Sequence, residues 1–459
     1  MRRKAEHALD VDEEVFWRWR ALPSWQRTRA AQVLKERERL AWETLRMASG
    51  HMVEALREAV AGPALVFRHG RARPPAAEIM EALRDVLAHT ETEEGPEHGS
   101  RGLLGRLAVR LREAVRDRLR PLLESEAFPR REVEAEVDRD VGVVLQRMET
   151  LLRREIVRDL IGQWRAAVRE ALLRNGLPLD LIPLKSGGPR VREREPDWEE
   201  DTTERVLRGA LAAAMVGVPE EMQCRCLVID EAHRMSVVEA WLAARLVKPA
   251  GFAVVAGDFL QNLSPWRGVR SDEDWAELLR PFGGRPKVRR LKKVYRASAS
   301  VADFFRFLVS EAGESVPEAP GGVPVQVVLV ASAAGRAARG HVTEYLSAFS
   351  WETCAVVALS PRDYEPARKL AEAVQERFNP DGTGPQRVIA ATAAAAAGTE
   401  FDAVVVVGAE RLADGEADRR LLYGAVGRAR WGAIVLATRE SELIRYLRSR
   451  HGQAAARVS

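Results

Sequence analysis

The chain has 459 residues, of which 46% are hydrophobic and 30% charged, and its net charge is +4. That length accommodates two to four domains, each with its own core. No segment approaches the roughly 18 uninterrupted apolar residues of a membrane span, and three cysteines are too few for a disulfide framework.

Cys224 and Cys226 form a C-x-C pair without a second Cys/His pair, so they and Cys354 read as small core residues, not as zinc ligands. The opening MRRKAEHALDVDEEVFW lacks the apolar run and cleavage pattern of a secretory signal, and a cytoplasmic location is expected. The isoelectric point is about 9.1 because nearly every basic residue is arginine. Only eight are lysine: Lys4, Lys35, Lys185, Lys248, Lys287, Lys292, Lys293 and Lys369. Acidic residues are interspersed almost everywhere, so arginine richness alone reads as composition and not as a nucleic-acid footprint.

From the N-terminus to about residue 195 nearly everything reads as helix. Residues 1–50 form a helical segment, and 51–195 a helical arm or insertion. Apolar residues recur three and four apart among charges over 24–48 and 103–124. The longest stripe runs through Val133, Val137, Val141, Leu145, Met148, Leu152, Ile156, Leu160, Trp164, Val168 and Leu172. Either one long helix or two helices broken near Gly162 would carry it, with Asn175-Gly176 as the stop. Residues 91–105 and 178–198 are rich in Gly, Pro and charge and read as loops, the second as a domain boundary.

After residue 200 short β-branched runs alternate with helices. The strand candidates are 226–229, 253–256, 324–330, 355–359, 388–391, 403–407 and 434–437. Most are continuous apolar runs, the pattern of parallel strands buried on both faces. The expected fold class is α/β, with two RecA-like parallel-sheet domains, over 196–310 and 311–459, the first of them incomplete, behind the all-helical N-terminal region.

CLVIDEAHRM, residues 226–235, ends an apolar strand in Asp230-Glu231 and sets two carboxylates at the carboxyl edge of the sheet, where α/β ligands bind. Asp230 suits an oxygen ligand to Mg²⁺, and Glu231 suits a group that orients or deprotonates an attacking water. A second strand leads into VVAGDFLQNLSPWRG, with Asp258 at its end and Gln261 within reach of a γ-phosphate or its water. RRLKKVYRASASVADFF then brings Tyr295-Arg296 before a helix, followed by RVIAATAAAAAGTEFDAVVVVG and LLYGAVGRARWGAIVLAT.

In this order and spacing the five blocks resemble motifs II to VI of the UvrD/Rep helicases of superfamily 1, over about residues 224–438. The resemblance implies ATP and Mg²⁺ as cofactors. The arginines matching Arg296 and Arg428 act in that family as paired fingers on the γ-phosphate, a role suited to a planar guanidinium. The tyrosine matching Tyr295 stacks on adenine, and the glutamate matching Glu400 bonds the ribose. Within the superfamily the chain is most similar to HelD, the helicase-like factor that binds bacterial RNA polymerase. The short connection between TEFDAVVVVGAERL and LLYGAVGRAR, the stretch from Met47 to Asp85 and the arm at 103–175 carry that likeness.

The chain departs from the family where a nucleotide is gripped. The phosphate loop G-x-x-x-x-G-K-[ST] places a lysine directly after glycine, and none of the eight lysines follows one. His233-Arg234 replace the Gln-Asp of motif II, Ala394 and Ala397 replace the His and Lys of motif V, and Gly427 replaces the Thr of motif VI. His233 reads as a neutral substitution. Three expectations result. One is a HelD-like factor that binds RNA polymerase or nucleic acid, with weak or lost ATPase activity. The second is an active UvrD-type ATP-dependent DNA helicase or translocase, either as it stands or completed by a partner chain that supplies a motif I lost from the N-terminus. The third is an inactive pseudoenzyme.

Overall fold

The structure, a computed structural model, describes residues 11–61, 74–90, 102–123, 130–183, 200–283, 287–291, 293–308, 316–319, 321–381, 383–413 and 415–455. Two compact units form. One comprises Met1–Ala256, Trp266–Gly268 and Asp272–Arg285, and the other Gly257–Pro265, Val269–Ser271 and Pro286–Ser459.

The first unit runs α1 (Val11–Ala21), α2 (Ser24–Ala61), α3 (Pro74–Ala88), α4 (Leu103–Leu123), α5 (Arg130–Leu151), α6 (Arg158–Arg174), α7 (Thr202–Val216), β1 (Cys224–Ile229), α8 (Val237–Ala244), β2 (Val247–Val255) and α9 (Asp272–Leu279). On α2 the buried positions Val33, Leu34, Ala41, Leu45, Ala48, Met52, Leu56 and Val60 recur at helical spacing, and the helix packs against α3, α6 and α7. Each large side chain buried there contributes about 1.5–3 kcal/mol. A polar cluster crosses this core. Arg37 pairs with Asp201, both almost fully buried, and Asp201 also caps α7 by accepting from the Glu204 N–H at 3.0 Å. Glu204 in turn receives Arg165 through both carboxylate oxygens, at 2.8 and 2.9 Å.

The long apolar stripe is one nearly continuous helical run, but it does not break at Gly162. A π-helical turn over Leu152–Val157 separates α5 from α6, and Gly162 lies inside α6. The wide turn inserts one extra residue, so the buried series passes from Leu152 to Val157 before resuming at Leu160, Ile161 and Trp164. Asn175 ends α6, and Gly176 at φ 63° lets the Leu177 N–H reach back to the Leu172 carbonyl at 2.9 Å.

β1 and β2 pair in parallel, with Cys226, Leu227, Val228 and Ile229 opposite Phe252, Ala253, Val254 and Val255. The sequence pattern predicts strands buried on both faces, and here the structure differs. Val228 is 67% exposed, Phe252 60% and Val254 48%. The sheet has only these two strands among the described residues, so its outer edges and one face carry no cover from a neighbouring strand.

The second unit contains β3 (Lys293–Ser298), α10 (Ala299–Leu308), β4 (Val316–Ala319), β5 (Gln326–Leu329), α11 (Arg336–Ser347), β6 (Cys354–Ala358), α12 (Pro361–Phe378), β7 (Val388–Thr392), β8 (Phe401–Val407), α13 (Glu416–Val426), β9 (Ala429–Ala437) and α14 (Glu442–Ala455). Five strands make an all-parallel sheet in the order β5-β9-β8-β6-β7. Cys354, Val356 and Ala358 on β6, and Ala403, Val405 and Val407 on β8, pack with α11 and α12 in one core. The alternating residues Ala355, Val357, Val404 and Val406 are equally buried on the other face. Double burial explains why these runs lack polar alternation. β3 and β4 form a separate parallel pair.

The α/β class with parallel sheets and many helices is thus present. The second unit carries a full parallel sheet, and the first carries two strands among the described residues.

Candidate functional site

Asp230 and Glu231 follow directly on β1, at the carboxyl edge of the two-stranded sheet. The ladder continues past them, since the Ala256 N–H donates to the Ile229 carbonyl and the Ala232 N–H to the Ala256 carbonyl, both at 2.8 Å. This pairing turns the backbone sharply, and Glu231 sits at φ 53°, the only non-glycine residue with positive φ among the described residues. Holding a side-chain-bearing residue there costs on the order of 1–3 kcal/mol, a strain concentrated at functional positions. The Glu231 N–H donates to Asp230 Oδ1 at 2.8 Å. Asp230 is exposed and Glu231 half-buried. His233, a neutral substitution by its sequence, is 1% exposed with Nδ1 3.4 Å from Glu231 Oε2. It therefore bears on the carboxylate directly. Behind it Ser236 and Glu239 form a reciprocal capping box that starts α8.

The second unit gathers the other candidates. Asp258 caps the short 3₁₀ turn Phe259–Gln261, accepting from the Leu260 N–H at 3.0 Å. Its Oδ2 accepts from Gln261 Nε2 at 3.0 Å and from the Tyr423 hydroxyl at 3.1 Å. Gln261 Oε1 in turn accepts from Arg428, whose Nε donates to the Gly424 carbonyl at 3.1 Å. Arg420 donates to the Phe259 carbonyl at 3.0 Å, fixing the same turn to α13. Tyr423 and Arg428 are only 8% and 6% exposed. Burial, with the Asp258 carboxylate adding to it, raises the Tyr423 phenol well above the ordinary tyrosine range. Phe305 packs on the Tyr423 ring at 4.6 Å between centroids. Asp258, Gln261, Tyr423 and Arg428 are thus one hydrogen-bonded set within one unit. Tyr423 escaped the sequence reading, although a single hydroxyl inside the apolar LLYGAV was the available signal.

Glu400, expected at a ribose, has its carboxylate bonded to Arg430 through Nε and Nη2, both at 3.1 Å. Tyr295 and Arg296 lie on β3, with α10 starting at Ala299; their side chains fall outside the described residues. Ala394 and Ala397 occupy the loop after β7, closed by an Ala395 N–H to Thr392 hydroxyl bond of 3.1 Å and by Gly398 at φ 81°.

Magnesium and ATP, the cofactors implied by the resemblance, fit this residue set only in part. Asp230 offers an accessible hard oxygen of the kind Mg²⁺ accepts from protein. The phosphate side does not fit: no lysine follows a glycine anywhere in the chain, and the Arg428 guanidinium is committed to Gln261 and Gly424. Among the described residues no group of three or more His, Cys, Asp or Glu side chains could hold a metal, and no helix is long and apolar enough to cross a membrane.

No protein-family model matches the chain, and no curated protein matches it. Among solved structures it is similar to the C-terminal domain of a possible DNA helicase from Lactobacillus plantarum WCFS1 at 22% identity, over 34% of this chain and 96% of that one, with a TM-score of 0.25. A likeness at that level does not establish a shared fold.

Proposed function

We propose that the chain is a helicase-like protein of the HelD type, which binds RNA polymerase or nucleic acid and has weak or no ATPase activity. The observation that supports this reading is the closed set formed by Asp258, Gln261, Tyr423 and Arg428. Residues of the types that would act on a γ-phosphate are bonded to one another, in a chain without the lysine loop that would bring a phosphate to them. Losing that loop removes an electrostatic clamp of several kcal/mol, and about 1.4 kcal/mol corresponds to each tenfold in rate. On this proposal the full chain comigrates with purified RNA polymerase core enzyme in gel filtration without added nucleotide. Separate elution, together with DNA-stimulated ATP hydrolysis lost in Glu231→Gln, would refute this reading in favour of an active motor.

A second reading, a motor completed by a partner chain that supplies motif I, draws support from one observation. Val228, Phe252 and Val254 expose an apolar face on a parallel sheet of two strands, whereas parallel sheets are ordinarily covered on both faces. ATP hydrolysis found only when a second chain co-purifies, and abolished by Val228→Asp, supports it. Equal turnover by the isolated chain contradicts it.

A further inference from the structure

Asparagine is scarce in this chain. Only Asn175, Asn262 and Asn379 occur, and only Asn175 precedes a glycine. That dipeptide carries a chemistry of its own. The backbone nitrogen of the glycine can attack the asparagine Cγ, because a residue without Cβ leaves the approach open. The N–Cγ bond forms, the Cγ–Nδ2 bond breaks, and ammonia leaves with the proton of the glycine amide. Water then opens the resulting succinimide ring at Cγ to give aspartate, or at the backbone carbonyl carbon to give isoaspartate. Solvent water is the only co-reactant.

The fold closes a gate over this dipeptide. Asn175 ends α6 with φ −92° and ψ 5°, and Gly176 continues at φ 63°. A Cβ built on Gly176 would meet nothing within 4 Å, so no neighbouring side chain shields the position. Backbone geometry protects it instead. Ring closure needs the bond to the Gly176 nitrogen nearly aligned with Cα–Cβ of Asn175, and at ψ 5° the two are turned well apart. Three hydrogen bonds hold them so. Asn175 Nδ2 donates to the Ala171 carbonyl at 2.8 Å, the Gly176 N–H to the Leu173 carbonyl at 3.0 Å, and the Leu177 N–H to the Leu172 carbonyl at 2.9 Å. Beyond the turn Leu177, Leu181 and Ile182 are buried, and Arg18 on α1 donates to the Asp180 carbonyl. The reaction therefore requires the last turn of α6 to open locally. Its product opposes closure. A carboxylate at position 175 has no Nδ2 to offer the Ala171 carbonyl, and it sets a negative charge at the negative end of the helix dipole. Isoaspartate also adds a methylene to the main chain inside the turn.

We propose that Asn175–Gly176 is a self-modifying site, at which opening of the last turn of α6 admits deamidation and the acid formed keeps the turn from closing. The site uses neither nucleotide nor polymerase, so it stands or fails apart from the function proposed above. Its test follows the full chain at mildly alkaline pH, both native and unfolded in urea. Trypsin cuts after Arg174 and Lys185, so the peptide NGLPLDLIPLK reports amide-to-acid conversion at Asn175 by mass spectrometry. The native chain should convert at least about tenfold more slowly than the unfolded one, since only the open fraction of the turn reacts. Leu177→Ala, checked for folding by a thermal melt, should speed native conversion at least about threefold, because a lost buried leucine raises that open fraction. Asn175→Asp supplies the product directly, and its Leu177 amide should exchange hydrogen at least about tenfold faster than the parent's. Equal conversion in native and unfolded chain would overturn the gate. An intact amide throughout prolonged native incubation, in the parent and in Leu177→Ala alike, would overturn the site itself. Parent-like exchange at Leu177 in Asn175→Asp would overturn the claim that the acid holds the turn open.

Discussion

Replacing Tyr423 by phenylalanine isolates the contact that ties the Asp258 turn to α13. The substitution keeps the ring, and so the packing on Phe305 at 4.6 Å, and removes only the hydroxyl that donates to Asp258 Oδ2 at 3.1 Å. Asp258 retains the Leu260 N–H and Gln261 Nε2, and no buried carboxylate is left without donors. The loss is then one hydrogen bond from a buried hydroxyl to a part-buried charged acceptor, about 1.5–3 kcal/mol. For a unit of this size about 1 kcal/mol moves the melting temperature by about 2–4 °C, so the transition should fall by about 3–12 °C. The assay is thermal unfolding followed by circular dichroism, in a double-mutant cycle with Asp258→Asn to extract the coupling. A pH series supplies a second readout. The folded-state pKa of Tyr423 is raised above its unfolded value, so the proton is held in the fold where the unfolded chain releases it. That contribution is fully present below the ordinary tyrosine range, near pH 10, and is lost as pH rises from there through the raised folded-state pKa. The Phe variant should lack this alkaline loss. A melting shift below about 1 °C, with no coupling to Asp258, would refute the reasoning, because the hydroxyl would then be no better placed in the fold than in water.

Other positions test other parts of the fold. Arg37→Ala should destabilise the first unit by about 3–5 kcal/mol in urea denaturation, since it strands the buried Asp201 carboxylate; Asp201→Asn made in the same background should recover part of the loss. Burial raises the pKa of Glu38 against the pull of Arg267 and Arg37, so folding disfavours the ionised carboxylate relative to the unfolded chain, and stability is lost as pH rises above the ordinary carboxylate range. Glu38→Gln should therefore melt higher than the parent at neutral pH and alike at acidic pH, where both side chains are uncharged. At Gly408, φ is 95° and an added Cβ would lie 2.2 Å from Asp363 Oδ2; Gly408→Ala should lower the melting temperature and loosen the Arg411–Asp363 pair held at 2.9 Å.

The parallel strands of the second unit were readable because burial on both faces removes polar alternation, and β6, β8 and β9 fall on the apolar runs of the sequence. The same reasoning misjudges β1 and β2. An apolar run records what a strand is suited to, and it carries no information about whether neighbouring strands are present, so Val228 and Phe252 emerge exposed. The π turn at Leu152–Val157 was hidden because a one-residue insertion leaves the apolar spacing nearly helical. At the site, motif order pointed to Asp258, Gln261 and Arg428. Their mutual bonding, and the role of Tyr423, depend on contacts spanning 165 and 167 residues that local pattern does not encode. His233 was legible as a substitution, but its burial beside Glu231 was not.

The most direct test of the central claim is a calorimetric titration of the full chain with ATP and Mg²⁺. The predicted result is no saturable binding tighter than about 1 mM, equivalent to less than about 4 kcal/mol, as follows from a site with carboxylates and arginines but no phosphate-gripping loop. Micromolar binding accompanied by turnover that Glu231→Gln abolishes would contradict the account and identify a working motor.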